Sequence, residues 1–206
     1  MINYNKEASL TNIKYNILSF FSQNKTILFL IASFIVLSLL TGLFTGIKLY
    51  NISGTINPGD YSFVTIVSGD IYSVSIFIKR FLSTILVIGL CIIFSINRWL
   101  SIFGFLLICY RAFLLALNCT FIIIYLGIGG AINSVLIIFP CQIISLLIIS
   151  IMFVISLRAF KLKAMCGKLN GNYFKWLMLS IILAFTTNII EALLLLTFKS
   201  TTLLII

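Results

Sequence analysis

The chain has 206 residues, of which 62% are hydrophobic and 9% are charged, and its formal net charge is +10. A soluble domain ordinarily has about 45–50% apolar and about 25% charged residues. One soluble core of this length cannot hide the surplus apolar surface, so lipid must solvate much of it. The composition therefore excludes an ordinary soluble protein. Because the basic residues lie between apolar runs, it also argues against nucleic acid as a partner and favours one membrane domain.

Residues 1–25 form a segment that precedes the first long apolar run and is expected to be cytoplasmic. Its apolar residues recur at helical spacing, with polar residues between them, at positions Leu10, Ile13, Ile17, Leu18 and Phe21. That pattern is typical of a helix that lies on the membrane surface. An ordinary N-terminal extension of the first span fits the same pattern, and the sequence leaves both readings open.

Five apolar windows have the length of a membrane span, which is about 20 residues for about 30 Å of hydrocarbon. They cover residues 26–47, 75–96, 101–125, 133–157 and 174–198. We therefore predict an all-α, polytopic integral membrane protein, with about five transmembrane helices in a compact bundle over residues 26–206.

Two connections between the spans have clear turn signals. An outer loop over residues 50–74 contains the turn Asn57-Pro58-Gly59-Asp60, and Asp70 can cap the helix that follows. A glycine-rich turn over residues 127–130 joins the third and fourth spans, which predicts that those two helices are antiparallel neighbours.

The distribution of basic residues predicts the orientation, because cytoplasmic loops carry an excess of Lys and Arg. With the N-terminus inside, nine basic residues fall in inner segments: Lys6, Lys14, Lys25, Arg98, Arg158, Lys161, Lys163, Lys168 and Lys175. Four fall in outer segments: Lys48, Lys79, Arg80 and Lys199. We predict a multi-pass protein of the bacterial plasma membrane, with the N-terminus inside and the C-terminus outside.

Polar residues within the last three spans are candidate functional groups, because such residues are costly in lipid and usually face protein or water. Estimated depths bring five of them near one another, and they predict one buried polar seam: Arg111, Asn118, Gln142, Asn188 and Glu191. The seam could simply hold the helices together, or it could serve substrate passage or proton coupling.

Other residues predict local helix geometry. Pro140 lies inside the fourth span and predicts a kink or break, since it lacks a backbone donor. Small residues four apart predict close helix packing, either within the chain or between two copies. They are Ser38, Gly42 and Gly46 in the first span and Ala112 and Ala116 in the third.

No catalytic constellation is present in the sequence. It contains no histidine and only four acidic residues, Glu7, Asp60, Asp70 and Glu191, which are widely scattered. Motifs for phosphate binding, serine hydrolysis and zinc proteolysis are missing. We therefore predict no enzyme activity, no catalytic residue, no metal and no cofactor.

The order of features resembles the stage II sporulation protein M family. Its members have a basic residue followed by small residues and Phe in the third span, and Tyr110-Arg111-Ala112-Phe113-Leu114-Leu115-Ala116 is similar to that pattern. They also have a Pro followed by polar residues in the fourth span, as in Phe139-Pro140-Cys141-Gln142. This chain has Cys141 and Ser145 where the fuller motif adds His and Glu.

The resemblance covers roughly residues 26–200 in layout and implies a non-enzymatic bacterial scaffold or accessory protein. Its expected partners are membrane lipid and other proteins, either a cell-wall hydrolase complex or a separate ATPase subunit. The alternative expectation is a permease-like subunit of an export system or a small carrier, including bacteriocin export or immunity. The sequence does not predict an oligomeric state.

Overall fold

The computed structural model describes residues 2–53, 74–97, 99–166 and 172–202. Their secondary structure is helical, with short turns at residues 95–97 and 99–100. The helices are α1 (Ile2–Ser53), α2 (Val74–Phe94), α3 (Ser101–Asn133), a π-helix (Ser134–Ile138), α4 (Phe139–Cys166) and α5 (Asn172–Thr202). The predicted fold class is confirmed, since five long helices form one bundle.

Four stretches of the described residues are long and apolar enough to cross a membrane. They are Ser22–Asn51, Ser101–Ile124, Ser134–Lys163 and Tyr173–Leu194. Helix α2 adds a shorter apolar stretch, Phe81–Phe94, within its 21 residues. These helices correspond in order to the five predicted windows and support a multi-pass membrane protein.

Helix α1 is longer than its predicted span. It continues without a break from Ile2 to Ser53, so the predicted N-terminal segment and the first span are one helix. Most of the predicted outer loop, including Asp60 and Asp70, lies outside the described residues. The connection between the predicted fourth and fifth spans is helical at both ends, because α4 continues to Cys166 and α5 begins at Asn172.

Helix α3 lies at the centre of the bundle and packs against α1, α2 and α4. Phe34 of α1 meets Phe105, and Gly46 of α1 meets Thr120, so α1 and α3 run in the same direction. Gly104 near the start of α3 lies against Phe153 in α4, which therefore runs in the opposite direction. We call the end of the bundle where α3 begins the inner end, after the predicted orientation, and the other end the outer end.

A backbone kink at Gly127 lies within α3, before the π-helix that leads into α4. Gly127 has φ of 58° and ψ of −131°. A positive φ is strained for residues with a Cβ atom, so glycine is the residue that allows this change of direction. The kink falls at the start of the predicted glycine-rich turn. It lies between the third and fourth spans, which are antiparallel neighbours.

The core is formed by apolar side chains from all five helices, with Ile108 and Ile122 of α3 and Ile149 of α4 fully buried. By contrast, only 11% of the most apolar window in α1 is buried. Phe29 and Phe44 of α1 are 76% and 70% exposed. Such a surface is suited to lipid, because the hydrocarbon core solvates apolar side chains that water would not.

Candidate functional site: polar groups buried between the helices

Arg111 joins α3 to α2. Its Nη1 donates a hydrogen bond to Ser83 Oγ at 2.8 Å, and its Nη2 donates to Thr84 Oγ1 at 3.1 Å. Thr84 is 1% exposed, while Arg111 is half-buried. The predicted seam did not include α2, so these two hydroxyl partners are additional site residues. Ser and Thr are common in spans, and no local signal in the sequence distinguished these two.

Gln142 and Glu191 connect α4 and α5. Gln142 Nε2 donates to Glu191 Oε2 at 2.6 Å, and Glu191 is only 2% exposed. A carboxyl group is costly in hydrocarbon unless polar groups surround it. The hydrogen bond brings together two members of the predicted seam, Gln142 and Glu191, near the outer end of the span in α5.

The two asparagines of the predicted seam differ in their surroundings. Asn188 is 5% exposed and lies one helical turn before Glu191 on the same helix. Its Nδ2 donates to the backbone oxygen of Ala184 at 2.6 Å, which leaves the amide oxygen as an acceptor. Asn118 is half-buried on α3.

A second hydrogen bond connects α4 and α5 at the inner end. Ser156 Oγ lies 3.2 Å from Tyr173 Oη, and both side chains are buried. Ser156 also donates to the backbone oxygen of Met152 at 2.8 Å. Tyr173 directly precedes the fifth predicted span, and its buried hydroxyl contact was not predicted.

Two buried hydroxyl groups have no hydrogen-bond partner within the described structure. They belong to Ser134, which is 0% exposed, and Ser145, which is 4% exposed. Buried polar atoms without a partner are rare in proteins and often indicate a water molecule or an ion. Ser145 lies one turn after Gln142 on α4, and Ser134 begins the π-helix.

The small residues of the first and third spans pack against one another within the chain. A Cβ atom at Gly42 would lie 2.5 Å from the backbone oxygen of Phe113 and 2.9 Å from Ala116 Cβ. A Cβ atom at Gly46 would lie 2.9 Å from Thr120 Cβ. Ala112 and Ala116 are 0% and 1% exposed, and Ser38 is half-buried. The Gly42/Gly46 pair thus contacts α3 of the same chain.

Pro140 lies directly after a change in helix geometry. The π-helix ends at Ile138 and α4 begins at Phe139, so the chain remains helical through Pro140. Proline cannot donate to the carbonyl four residues earlier, and its ring crowds that carbonyl. The wider π turn accommodates both effects, and turns of this kind frequently occur at functional sites.

No protein-family model, curated protein or solved structure matches this chain. The function of the chain is therefore inferred from the chemistry and geometry of its residues.

Proposed function

We propose that this chain is a non-enzymatic bacterial membrane scaffold or accessory protein that acts through protein partners. The proposed partners are of the cell-wall remodelling or engulfment type, as the resemblance to the stage II sporulation protein M family implies. The proposed location is the plasma membrane, with the N-terminus inside and the C-terminus outside.

The observation that carries this proposal is the length of α1. Its 52 residues correspond to about 78 Å of helix, whereas the hydrocarbon core is about 30 Å thick. The part of α1 before Ser22 adds about 30 Å, and its sequence has apolar residues at helical spacing from Leu10 to Phe21. A helix with such a stripe outside the membrane is suited to packing against another helix.

The buried polar residues support a structural role for the membrane bundle. Arg111 bonds to α2, and Gln142 bonds to Glu191 across the α4–α5 contact. Interhelical hydrogen bonds of this kind stabilise helix association in lipid. On this proposal the bundle holds α1 at the membrane, and the N-terminal part of α1 contacts the partner.

The proposal is tested by capturing partners in intact cells. The protein is tagged at its C-terminus, crosslinked, purified in mild detergent and analysed by mass spectrometry. We expect stoichiometric recovery of the membrane anchors of a cell-wall hydrolase complex, because their cytoplasmic segments can reach the N-terminal part of α1. A variant with Leu10, Ile13 and Ile17 replaced by Ser should lose them, while a matched variant with Thr11, Asn12 and Ser19 replaced by Ala should retain them. Equal recovery by both variants, or recovery of the protein alone, would contradict the proposal.

A second candidate function is a permease-like export subunit or a small carrier, including bacteriocin export or immunity. The observation that favours it is Glu191, a carboxyl group 2% exposed within a span and close to the π turn before Pro140. Intramembrane acids of this kind occur in proton relays and transport pathways. Recovery of a stoichiometric ATP-binding subunit in the same purification, together with loss of export in Glu191→Gln, would favour this function over the scaffold.

A further inference from the structure

The contact between Gln142 and Glu191 continues into a second layer of polar side chains. Gln142 meets Glu191 near the outer end, and Ser156 meets Tyr173 near the inner end. From the outer end to the inner end, residue numbers rise along α4, from Gln142 to Ser156, and fall along α5, from Glu191 to Tyr173. The two helices are therefore antiparallel.

This geometry sets the neighbours of Ser145 and Asn188. Ser145 lies three residues after Gln142, and Asn188 lies three residues before Glu191. Three residues correspond to about 4.5 Å along a helix axis and return to nearly the same face. Since the helices are antiparallel, both steps lead toward the inner end, so Ser145 and Asn188 occupy the same level. Both are buried, at 4% and 5% exposure.

Most of the polar atoms in these four side chains are oxygens. The amide nitrogen of Gln142 is used by Glu191, and that of Asn188 is used by the Ala184 carbonyl, so each amide oxygen remains an acceptor. Ser145 Oγ is buried and has no hydrogen-bond partner among the described residues. The described residues therefore leave this hydroxyl group without a partner, at the level of Asn188 on the adjacent helix.

We propose that Gln142, Ser145, Asn188 and Glu191 form a binding site for a monovalent cation, and that sodium is the ion which fits it. Hard cations prefer carboxylate, amide and hydroxyl oxygens. The set contains a single carboxylate, whereas protein sites for divalent ions usually combine several. In membrane proteins, cation sites of this kind lie near interrupted helices, and here the π turn precedes Gln142 by one turn.

The test is a measurement of thermal unfolding of the full chain in lipid nanodiscs. Sodium chloride is exchanged for choline chloride at constant ionic strength, and potassium chloride is compared in parallel. We expect sodium to raise the Tm saturably, by about 3–6 °C at roughly ten times the Kd. Radioactive sodium binding by scintillation proximity gives an independent readout of the same affinity.

A matched pair of serine variants locates the site. Ser145→Ala removes the unpartnered hydroxyl group and should raise the half-saturating sodium concentration about tenfold. Ser150→Ala is the control, because Ser150 is equally buried on the same helix but donates to the backbone oxygen of Leu146. If Ser145→Ala does not fold, Ser145→Cys keeps the side-chain size and replaces the hard oxygen with sulfur.

Three outcomes would overturn the inference: no difference between sodium and choline in the unmodified chain, equal sodium responses in the Ser145 and Ser150 variants, or stabilisation that follows pH and not sodium. The last of these would identify a protonation site. The inference goes beyond the scaffold function. Partner capture and sodium binding are measured separately, so either can fail alone.

Discussion

At the scale of single residues, Arg111 and Glu191 bond to different helices. Arg111 bonds to two hydroxyl groups of α2, and Glu191 bonds to Gln142 of α4. A hydroxyl partner costs little to bury and lets a guanidinium spread its charge over several oxygens. The polar residues thus connect neighbouring helices in pairs, with α3 and α5 each contributing one charged member.

The contact between Arg111 and Thr84 is expected to be energetically coupled. Thr84→Val removes the acceptor with little change in shape, and Arg111→Gln removes the charge. Each change alone should destabilise the bundle, and the double variant should cost less than the sum by about 0.5–2 kcal/mol. Reversible unfolding in mixed micelles measures this coupling. Thr41→Val is the control, since Thr41 bonds to the Ser38 carbonyl of its own helix. If Thr41→Val coupled to Arg111→Gln as strongly as Thr84→Val does, the assignment of Thr84 as a partner of Arg111 would be contradicted.

The sequence located the charged members of these pairs but not all of their partners. Arg111 and Glu191 are conspicuous because charge is rare in apolar runs. Ser83, Thr84 and Ser145 are not, since hydroxyl residues are frequent in spans and their depth alone does not say which way they face. Their roles depend on the rotation of each helix about its axis, and that rotation is set by packing across the whole bundle.

At the scale of helices, α1 and α3 approach each other closely at Gly42 and Gly46. Gly42→Ala would place a methyl group against a backbone oxygen of Phe113, which a rotamer change cannot relieve. We expect a loss of about 1–3 kcal/mol in the free energy of unfolding. Gly89→Ala is the matched control, because a Cβ atom there meets nothing within 4 Å. Thermal unfolding in detergent should show a lower Tm for the first variant and an unchanged or higher Tm for the second, and the reverse order would contradict this packing.

The continuity of α1 makes a distance prediction. Spin labels at residues 9 and 33 of a low-cysteine variant should be about 36 Å apart if the helix is straight. A helix that bends at a right angle near Asn24 to lie on the membrane would give about 26 Å. Pulsed electron paramagnetic resonance in nanodiscs distinguishes the two distances. A main population at the shorter distance would show that residues 2–21 form a surface helix instead.

Helix positions were more predictable than helix boundaries and geometry. Three of the five apolar windows lie within single observed helices, whereas the window 75–96 extends two residues beyond α2 and the window 133–157 begins at the end of α3 and includes the π-helix. The thickness of hydrocarbon sets the length of the windows. The ends differ because charged residues such as Arg158 and Lys163 continue a helix beyond the apolar part without any penalty in water. Pro140 predicted a disturbance in the fourth span, but a π turn and a kink cannot be distinguished from a proline alone.

At the scale of the whole molecule, the helix contacts fix the relative directions of the spans. Gly104 of α3 meets Cys91 of α2, and Arg111 of α3 meets Thr84 of α2, so α2 runs opposite to α3. With α1 parallel to α3 and α4 antiparallel to it, the directions alternate along the chain. Five alternating helices place Ile2 and Thr202, the ends of the described chain, at opposite ends of the bundle.

The remaining choice between the two orientations can be decided by cysteine accessibility. Ile128 is 80% exposed beside the Gly127 kink at the outer end, and Lys163 is exposed near the inner end of α4. Given nine basic residues in inner segments and four in outer ones, we expect Ile128→Cys to react with a membrane-impermeant maleimide in intact cells. Lys163→Cys should react only after permeabilisation. A Cys166→Ser background removes a nearby thiol, and Cys91 and Cys119 are buried. Labelling of Lys163→Cys alone in intact cells would show the opposite orientation. The N-terminal part of α1, and any partner that it binds, would then lie outside the cell.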